Sequence, residues 1–282
     1  MPLARTDDLP PEWRSLQAMD CHAAVGRWTV PPPAGPLDEA GLLAELDAAG
    51  VAGALVHHGV ARDYDPAVGN DLLLAACASD RLVPCATLLP PATAELPPPD
   101  EHLPALLAAG VRAVRLYPRS HNFSLAPWCS GPLLEALERR RVPLTVDLVE
   151  TDWEAIHGLC ERYPDLPVVV TRVNYRQERF LYALWERHAN LHVEVSLFQG
   201  HRSLEEAVER FGPHRLLFGT GLPFFDAGGP VVMLARCEVD AAARRAMAGD
   251  NLRRLLGNVV VAPAPAAPAA PAAPALPEGA AR

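Results

Sequence analysis

The chain has 282 residues, half of them hydrophobic, and it carries a formal net charge of −9. A single domain of this size buries roughly three quarters of the surface that its unfolded chain exposes, so a large core is available. Because nucleic-acid phosphates are bound by clustered basic side chains, the acidic balance argues against a nucleic-acid partner. The first residues include no apolar segment typical of a secretory signal, and we therefore expect a cytoplasmic protein.

Short runs rich in β-branched and apolar residues alternate with segments whose apolar residues recur at helical spacing. We predict eight strands, at residues 17–21, 51–56, 82–88, 111–117, 142–148, 166–171, 191–197 and 215–219. The clearest helical patterns between them cover residues 37–49, 131–140, 152–163 and 204–211. Such alternation produces parallel βαβ units, and eight repeats close a barrel. The sequence therefore predicts an α/β protein with a single (β/α)8 TIM-barrel domain.

The chain divides into three segments. Residues 1–16 are predicted to be an N-terminal extension, residues 17–261 the barrel, and residues 262–282 a tail of Pro-Ala repeats. Prolines at every second to fourth position prevent a continuous helix, and alanine contributes little transfer energy to a membrane span. We therefore predict a disordered tail and no association with a membrane.

The six cysteines lie far apart and form no C-x-x-C pair, which predicts reduced, buried thiols. Cys21 is the one candidate nucleophile, since it lies beside His22, although a small apolar role within a strand is the alternative. The chain contains no lysine. Catalysis through a Schiff base is therefore excluded.

Two short motifs lie near the ends of the predicted barrel. The first is Asp20-Cys21-His22, and the second is F-G-T-G-L-P at residues 218–223. They resemble the first and last active-site strands of the amidohydrolase-related family, which usually read D-x-H-x-H and F-G-[ST]-D-x-P. The resemblance runs from about residue 19 to residue 256, and it implies a TIM-barrel hydrolase whose histidines bind a metal.

This sequence departs from the family pattern at the positions that bind the metal. Ala24 occupies the position of the second histidine in the first motif, and Gly221 occupies the position of the aspartate in the last motif. At two further positions where the family has a histidine, this chain has Asp147 and Arg172. A guanidinium cannot be a metal ligand, and a catalytic zinc ordinarily has three protein ligands. If Cys21 were the third ligand, Cys21 and His22 would have to face the same side of a strand. Successive side chains of a strand point to opposite sides, so this arrangement is not expected. We therefore predict no cofactor, with a divalent metal such as zinc as the alternative.

The candidate catalytic residues come from the predicted C-terminal ends of strands, where barrels of this kind place their active sites. We predict that His22 acts as general base or acid and that Asp20 fixes its tautomer. We also predict that Asp147 forms an ion pair with Arg172 at the barrel mouth. Glu194 lies in an alternating strand, so it either points into the barrel beside an arginine or lies between strand and helix.

The candidate substrate-binding residues are Arg115, His121, Arg172 and Thr220. The two arginines could together hold a substrate carboxylate through bidentate hydrogen bonds, which competes with the ion-pair role of Arg172. His121 lies on the loop after the fourth strand, where it either closes over a ligand or stays in solvent. Thr220 directly follows the eighth strand.

The resemblance implies a hydrolase that acts on an amide, ester or lactone bond of a small molecule, with or without a metal. The family also includes decarboxylases and metal-independent lactonases, so decarboxylation is open as well. The rival hypothesis is an inactive barrel that binds a ligand or partner at the same mouth, because Ala24 and Gly221 remove groups that a hydrolase needs. A homo-oligomer, or a subunit of an active homologue, also agrees with the sequence.

Overall fold

The computed structural model describes residues 11–261. Its eight strands are parallel and lie in sequential order, which confirms the predicted single TIM barrel. They are β1 (Met19–Val25), β2 (Gly53–His58), β3 (Leu82–Thr87), β4 (Ala113–Leu116), β5 (Leu144–Asp147), β6 (Val168–Thr171), β7 (Leu191–Glu194) and β8 (Leu216–Leu217). These segments are buried along almost their whole length, as parallel strands covered by helices must be.

Helices cover the outside of the barrel. They are α1 (Pro11–Ser15), α2 (Glu39–Ala49), α3 (Gly59–Asp63), α4 (Pro66–Ala75), α5 (Pro99–Ala108), α6 (Pro127–Arg139), α7 (Trp153–Arg162), α8 (Glu178–Trp185), α9 (Ser203–Phe211), α10 (Gly228–Arg236), α11 (Ala241–Arg245) and α12 (Asn251–Gly257). The carboxylates of Asp38, Asp65 and Asp152 accept N–H groups in the first turns of α2, α4 and α7. These caps satisfy donors that have no partner within the helix.

The ring closes between β1 and the chain that follows β8. The Cys21 amide donates to the Phe218 carbonyl oxygen and the Ala24 amide to the Leu222 carbonyl oxygen, both at 2.9 Å. The register of β1 against β2 shifts between Asp20 and Ala23. This irregularity acts as a β-bulge, which breaks the strict alternation of side chains along β1.

The barrel interior has an apolar floor. Side chains from six strands (Cys21, Leu55, Cys85, Ala113, Val169 and Leu217) pack there against Leu252, Leu255 and Leu256 of α12. This helix seals the N-terminal end of the barrel. Polar chemistry is thereby restricted to the opposite, C-terminal end.

The predicted N-terminal extension ends in α1, and this helix belongs to the barrel. Trp13 of α1 is buried, makes a T-shaped contact with Phe218 at 5.4 Å between ring centroids, and donates from its indole to the Ala49 carbonyl. The predicted Pro/Ala tail lies outside the described residues. Within residues 11–261, no helix combines the length and apolar character needed to cross a membrane.

Candidate active site

A cavity of about 100 Å³ lies at the C-terminal end of the barrel. Its lining is largely aromatic and charged, and it consists of His22, Ala24, Trp28, His57, Arg62, Tyr117, Asp147, Arg172, Gly221, Leu222, Phe224 and Phe225. Three of the predicted site residues, His22, Asp147 and Arg172, therefore line one cavity. Of the other five predicted residues, Arg115 and Glu194 contact His22 from within the barrel.

A buried ion pair joins β4 to β5. Arg115 is only 2% exposed, and its Nη2 donates to Asp147 Oδ1 and, at 3.2 Å, to Thr171 Oγ1. Burial alone would raise the pKa of Asp147, but the Arg115 charge, the nearby His22 and the hydrogen bonds from Thr171 and Arg115 together outweigh burial and hold that pKa well below its usual range. The predicted pair between Asp147 and Arg172 is thus wrong, because the inward-facing arginine of β4 reaches the carboxylate first.

His22 lies between the buried carboxylates of Glu194 and Asp147. Its Nδ1 is 3.4 Å from Glu194 Oε2, while its Nε2 is 3.4 Å from Arg115 Nη2 and 3.8 Å from Asp147 Oδ1. Its ring stacks on His57 with centroids 5.8 Å apart. A neutral imidazole in this position donates from Nδ1 to the Glu194 carboxylate, which leaves the lone pair on Nε2.

Asp20 does not contact the imidazole that it was predicted to orient. It accepts hydrogen bonds from the amide of His22 at 2.7 Å, from the amide of Thr220 at 3.0 Å and from the Thr220 hydroxyl. Both side chains are fully buried, and burial raises the pKa of Asp20. Asp20 and Thr220 therefore hold the seam between β1 and the chain after β8, and neither lines the cavity.

Glu194 points into the barrel and is fully buried. Its carboxylate accepts from His22 and from the amides of Ser196 and, at 3.4 Å, Arg172. Burial raises its pKa, but these hydrogen bonds and the nearby imidazole outweigh burial and lower it overall. Gly219 makes room for this side chain, since a Cβ there would lie 2.5 Å from Glu194 Cγ. The expected arginine side-chain partner of Glu194 is replaced by an imidazole and main-chain amides.

Arg172 directly follows β6 in a left-handed backbone conformation, with φ of 62°. This turn directs its guanidinium to Phe225, whose ring centroid lies 5.3 Å from the guanidinium carbon. It forms no ion pair with any residue in the described range 11–261, and its buried Nε has no hydrogen-bond partner. The cavity therefore contains a cation without an opposing charge.

Cys21 contradicts the expectation that it and His22 face opposite sides of β1. Cys21 belongs to the apolar floor inside the barrel while His22 lines the cavity above it, and the irregular register of β1 permits both. Burial raises the pKa of Cys21 well above its usual value. A buried, protonated thiol is not a nucleophile.

Sequence reasoning did not select six of the polar or aromatic residues that line the cavity: Trp28, His57, Arg62, Tyr117, Phe224 and Phe225. Tyr117 directly follows β4, and active-site residues of such barrels lie at the C-terminal ends of strands, so Tyr117 could have been selected from the sequence. Trp28 and Arg62 lie beyond the ends of β1 and β2, in segments that carry no local signal of function. Burial and the Arg115 charge lower the pKa of His57 well below its usual value, so its ring is neutral at neutral pH.

His121 lines a second, larger cavity of about 710 Å³ formed by the loops after β3, β4 and β5. Its Nε2 lies 2.8 Å from the Arg62 carbonyl oxygen, and Arg62 in turn donates to Glu150 at 3.1 Å and to Ser120. These contacts form a wall between the two cavities. His121 therefore does not reach the cavity of His22 in this conformation.

The positions of the donor side chains bear on metal binding. No group of three or more His, Cys, Asp and Glu side chains in the part of the chain that the structure describes is arranged to hold a metal ion. At the family's aspartate position, Gly221 has φ of 72°, and a Cβ there would lie 2.5 Å from the Phe225 ring. The space for an aspartate side chain is thus taken by an aromatic ring.

The chain is similar in sequence to one protein family and in structure to several solved proteins. The sequence model of the amidohydrolase family matches residues 12–257, whereas the search of curated proteins gave no match. A 5-carboxyvanillate decarboxylase from Sphingomonas paucimobilis is 16% identical, with a TM-score of 0.69 over 87% of this chain and 100% of that chain. A probable 2-pyrone-4,6-dicarboxylic acid hydrolase from Acinetobacter baumannii is 16% identical, with a TM-score of 0.64 over 86% and 99% of the chains. A 2,6-dihydroxybenzoate decarboxylase from Rhizobium is 18% identical, with a TM-score of 0.63 over 85% and 98%. These likenesses establish a common fold.

Proposed function

The chain belongs to the amidohydrolase family, and from that premise we propose that it hydrolyses an ester or lactone of a small organic acid without a bound metal. The observation that carries the proposal is a histidine held by a buried carboxylate in the same cavity as an arginine without an ion-pair partner. The first group supplies a base, and the second supplies an anchor for an anion. The proposal includes the replacement of the family's metal by the Arg115 guanidinium.

Arg115 occupies the place where a metal would need ligands. Its guanidinium donates to Asp147 and faces His22 Nε2 at 3.4 Å, so N–H groups point at two atoms that a metal would coordinate. A cation placed between these atoms would also meet the positive charge of the guanidinium. The residues present therefore do not fit a divalent metal.

His22 is a better base than Asp147. The Arg115 charge keeps the Asp147 carboxylate ionised but lowers its pKa, which makes it a weak proton acceptor near neutral pH. His22 donates from Nδ1 to Glu194 at 3.4 Å, and its Nε2, which lies 3.4 Å from Arg115 Nη2, keeps the lone pair that accepts a proton. Glu194 thereby has the tautomer-fixing role that the sequence assigned to Asp20.

Arg172 provides the anchor for a substrate carboxylate. A guanidinium binds a carboxylate through two parallel hydrogen bonds, and here no described residue competes for them. The three compared proteins are named for acting on carboxylated ring compounds, which supports the same class of substrate. The volume of the cavity, about 100 Å³, limits the bound group to a small one.

An ester or lactone agrees with the site better than an amide does. Hydrolysis by a neutral imidazole, without a Lewis acid, requires a leaving group that departs easily. The oxygen of an aryl ester or an unsaturated lactone leaves as a stabilised anion, whereas an amine must first be protonated. We therefore expect these substrates to be cleaved in preference to amides.

The test is a panel of small lactones and aryl esters, each with and without a carboxylate substituent, assayed on chelator-treated protein. We expect hydrolysis of the carboxylated members. His22→Asn should reduce kcat by about 10²–10⁴-fold, the usual contribution of a general base. Arg172→Met should raise KM for carboxylated substrates by roughly 10–100-fold, the loss expected for a charge-assisted hydrogen bond. The matched control is Arg176→Met, which removes an exposed arginine.

Product analysis separates the alternatives. A product that has gained water supports hydrolysis, while loss of carbon dioxide would replace it with decarboxylation. Binding of carboxylated compounds without any turnover would instead support the rival hypothesis of an inactive binding barrel. Activity that appears only after metal is added would contradict the metal-free site.

A further inference from the structure

Two buried hydrogen-bond donors of the small cavity have no partner among the described residues. They are the indole N–H of Trp28 and the hydroxyl of Tyr117. The two side chains are 7% and 1% exposed, and both line the cavity that contains His22. Buried polar groups almost always have a partner, and an unpaired donor costs about 1–3 kcal/mol. Both donors belong to side chains that line the same cavity, where a bound ligand would supply the missing acceptor.

We infer that Tyr117 and Trp28 donate hydrogen bonds to the carbonyl oxygen of the scissile ester and stabilise the negative charge that develops there. This inference rests on the proposed function, which has no metal to polarise the carbonyl of the ester. It assigns that polarisation to Tyr117 and Trp28. The partner atom on the ligand must be an acceptor, since an indole N–H can only donate. A carbonyl oxygen that becomes an oxyanion is the acceptor whose hydrogen bonds strengthen during the reaction.

The surroundings of Tyr117 suit a neutral donor. Burial raises the pKa of its hydroxyl, so that it stays protonated. The guanidinium carbons of Arg62 and Arg115 lie 5.6 Å and 5.5 Å from the centre of its ring. Two cations next to a phenol favour negative charge close to its hydroxyl. The hydroxyl is therefore preorganised to meet an oxyanion.

Trp28 is held in place by aromatic contacts. Its ring makes T-shaped contacts with Phe224 at 4.9 Å and with His57 at 5.9 Å between centroids. These contacts fix the direction of the indole without using its N–H. A donor that is already oriented needs no rearrangement when charge develops, and such donors contribute most to the rate.

The step that these donors assist is the attack of water. The water oxygen forms a bond to the carbonyl carbon, its proton passes to His22 Nε2, and the π electron pair of the carbonyl moves to its oxygen. That oxyanion accepts hydrogen bonds from Tyr117 and Trp28. When the electron pair returns, the bond from carbon to the leaving oxygen breaks, and the leaving oxygen takes the proton from His22. The products are the acid and the alcohol or enol.

The experiment compares two ligands of different shape. Phenylphosphonate is tetrahedral and presents an additional oxygen, as the intermediate does, whereas benzoate is planar. Binding of each is measured by titration calorimetry for the wild-type protein and for Tyr117→Phe, Trp28→Phe and Tyr163→Phe, together with the Tm of each ligand-free protein. Tyr163 is the matched control, because its hydroxyl is also buried without a partner but it does not line this cavity.

We expect Tyr117→Phe and Trp28→Phe each to weaken phenylphosphonate binding by about 10–100-fold, the range for a hydrogen bond to a charged group. Benzoate binding should weaken by less than about threefold, and Tyr163→Phe should change neither ligand. Tyr117→Phe should not lower the Tm, because the hydroxyl has no partner in the protein. The same variant should lower kcat by about 10²–10³-fold, as expected for the loss of one oxyanion donor.

Three results would overturn the inference: equal weakening of both ligands, no weakening of phenylphosphonate, or no binding of phenylphosphonate by the wild-type protein. The outcomes separate the inference from the proposed function. A protein that hydrolyses no ester but shows the expected ligand pattern would disprove the hydrolase and leave the donors assigned to a ligand oxygen. A protein that hydrolyses esters with full kcat in Tyr117→Phe would disprove the donors alone.

Discussion

At the scale of single residues, Arg115 links three polar groups in the barrel interior. Its Nη2 contacts Asp147, Thr171 and His22, and its side chain is almost fully buried. Removal of one member of such a buried pair leaves an uncompensated charge in a region of low dielectric. Arg172, in contrast, has no ion-pair partner in the described chain and is partly exposed.

Arg115→Met should therefore lower the free energy of unfolding by about 3–5 kcal/mol. Arg172→Met should lower it by less than about 1 kcal/mol, because its loss removes a stacking contact and no ion pair. Urea unfolding followed by circular dichroism measures both variants. A larger loss for Arg172→Met would restore the ion pair that the sequence analysis predicted between Arg172 and Asp147.

Asp147 should also make the stability depend on pH. Its pKa is lower in the folded protein than in the unfolded chain, where a free Asp titrates near about 3.9. Its contribution is therefore present above that value and is lost as the pH falls through the lower, folded pKa. We expect the free energy of unfolding to decrease steeply below about pH 4, measured by urea unfolding across pH. Asp147→Asn should show a shallower decrease, and an unchanged slope would contradict this assignment.

At the scale of elements, β1 and α12 position the site. The irregular register of β1 allows Cys21 to pack into the floor of the barrel while His22 faces the cavity. The floor is completed by α12, whose Leu252 is buried against the barrel interior. Because the floor lies at the end opposite the cavity, it should support stability without contributing to chemistry.

Leu252→Ala should lower the free energy of unfolding by about 2–5 kcal/mol, the usual cost of a cavity left by a buried leucine. Substrate affinity should stay unchanged, because no cavity-lining residue belongs to α12. The control is Val232→Ala on α10, where the side chain is 44% exposed and the cost should be below about 0.5 kcal/mol. Denaturant unfolding and KM are the two measurements. A changed KM in Leu252→Ala would show that the floor and the cavity are coupled.

At the scale of the whole molecule, the barrel retains the family's frame while its interior polar layer is built around a guanidinium. We therefore expect the Tm of chelator-treated protein to equal that of untreated protein, and added zinc or manganese to leave it unchanged. A metal bound only to the folded state at a hundred times its Kd would add about 2.7 kcal/mol, which a thermal shift assay detects. Stoichiometric metal that disappears in His22→Ala would overturn this expectation.

The sequence by itself determined the architecture and part of the site. The repeat of strand and helix patterns is local, so it predicted eight strands, a single barrel and the positions at strand ends that include His22 and Asp147. The boundaries were less accurate. The first strand was predicted at residues 17–21, whereas β1 is Met19–Val25, because its register shift and its closure against the chain after β8 come from distant residues.

Only the tertiary structure decided which groups meet. Asp147 could have paired with Arg115 or Arg172, and its partner was settled by the inward direction of β4 and by the left-handed turn at Arg172. His22 could have been oriented by Asp20, but Asp20 is held by Thr220 at the seam and Glu194 lies 172 positions away in the sequence. Such pairings depend on side-chain direction across the barrel, and sequence spacing carries no information about it.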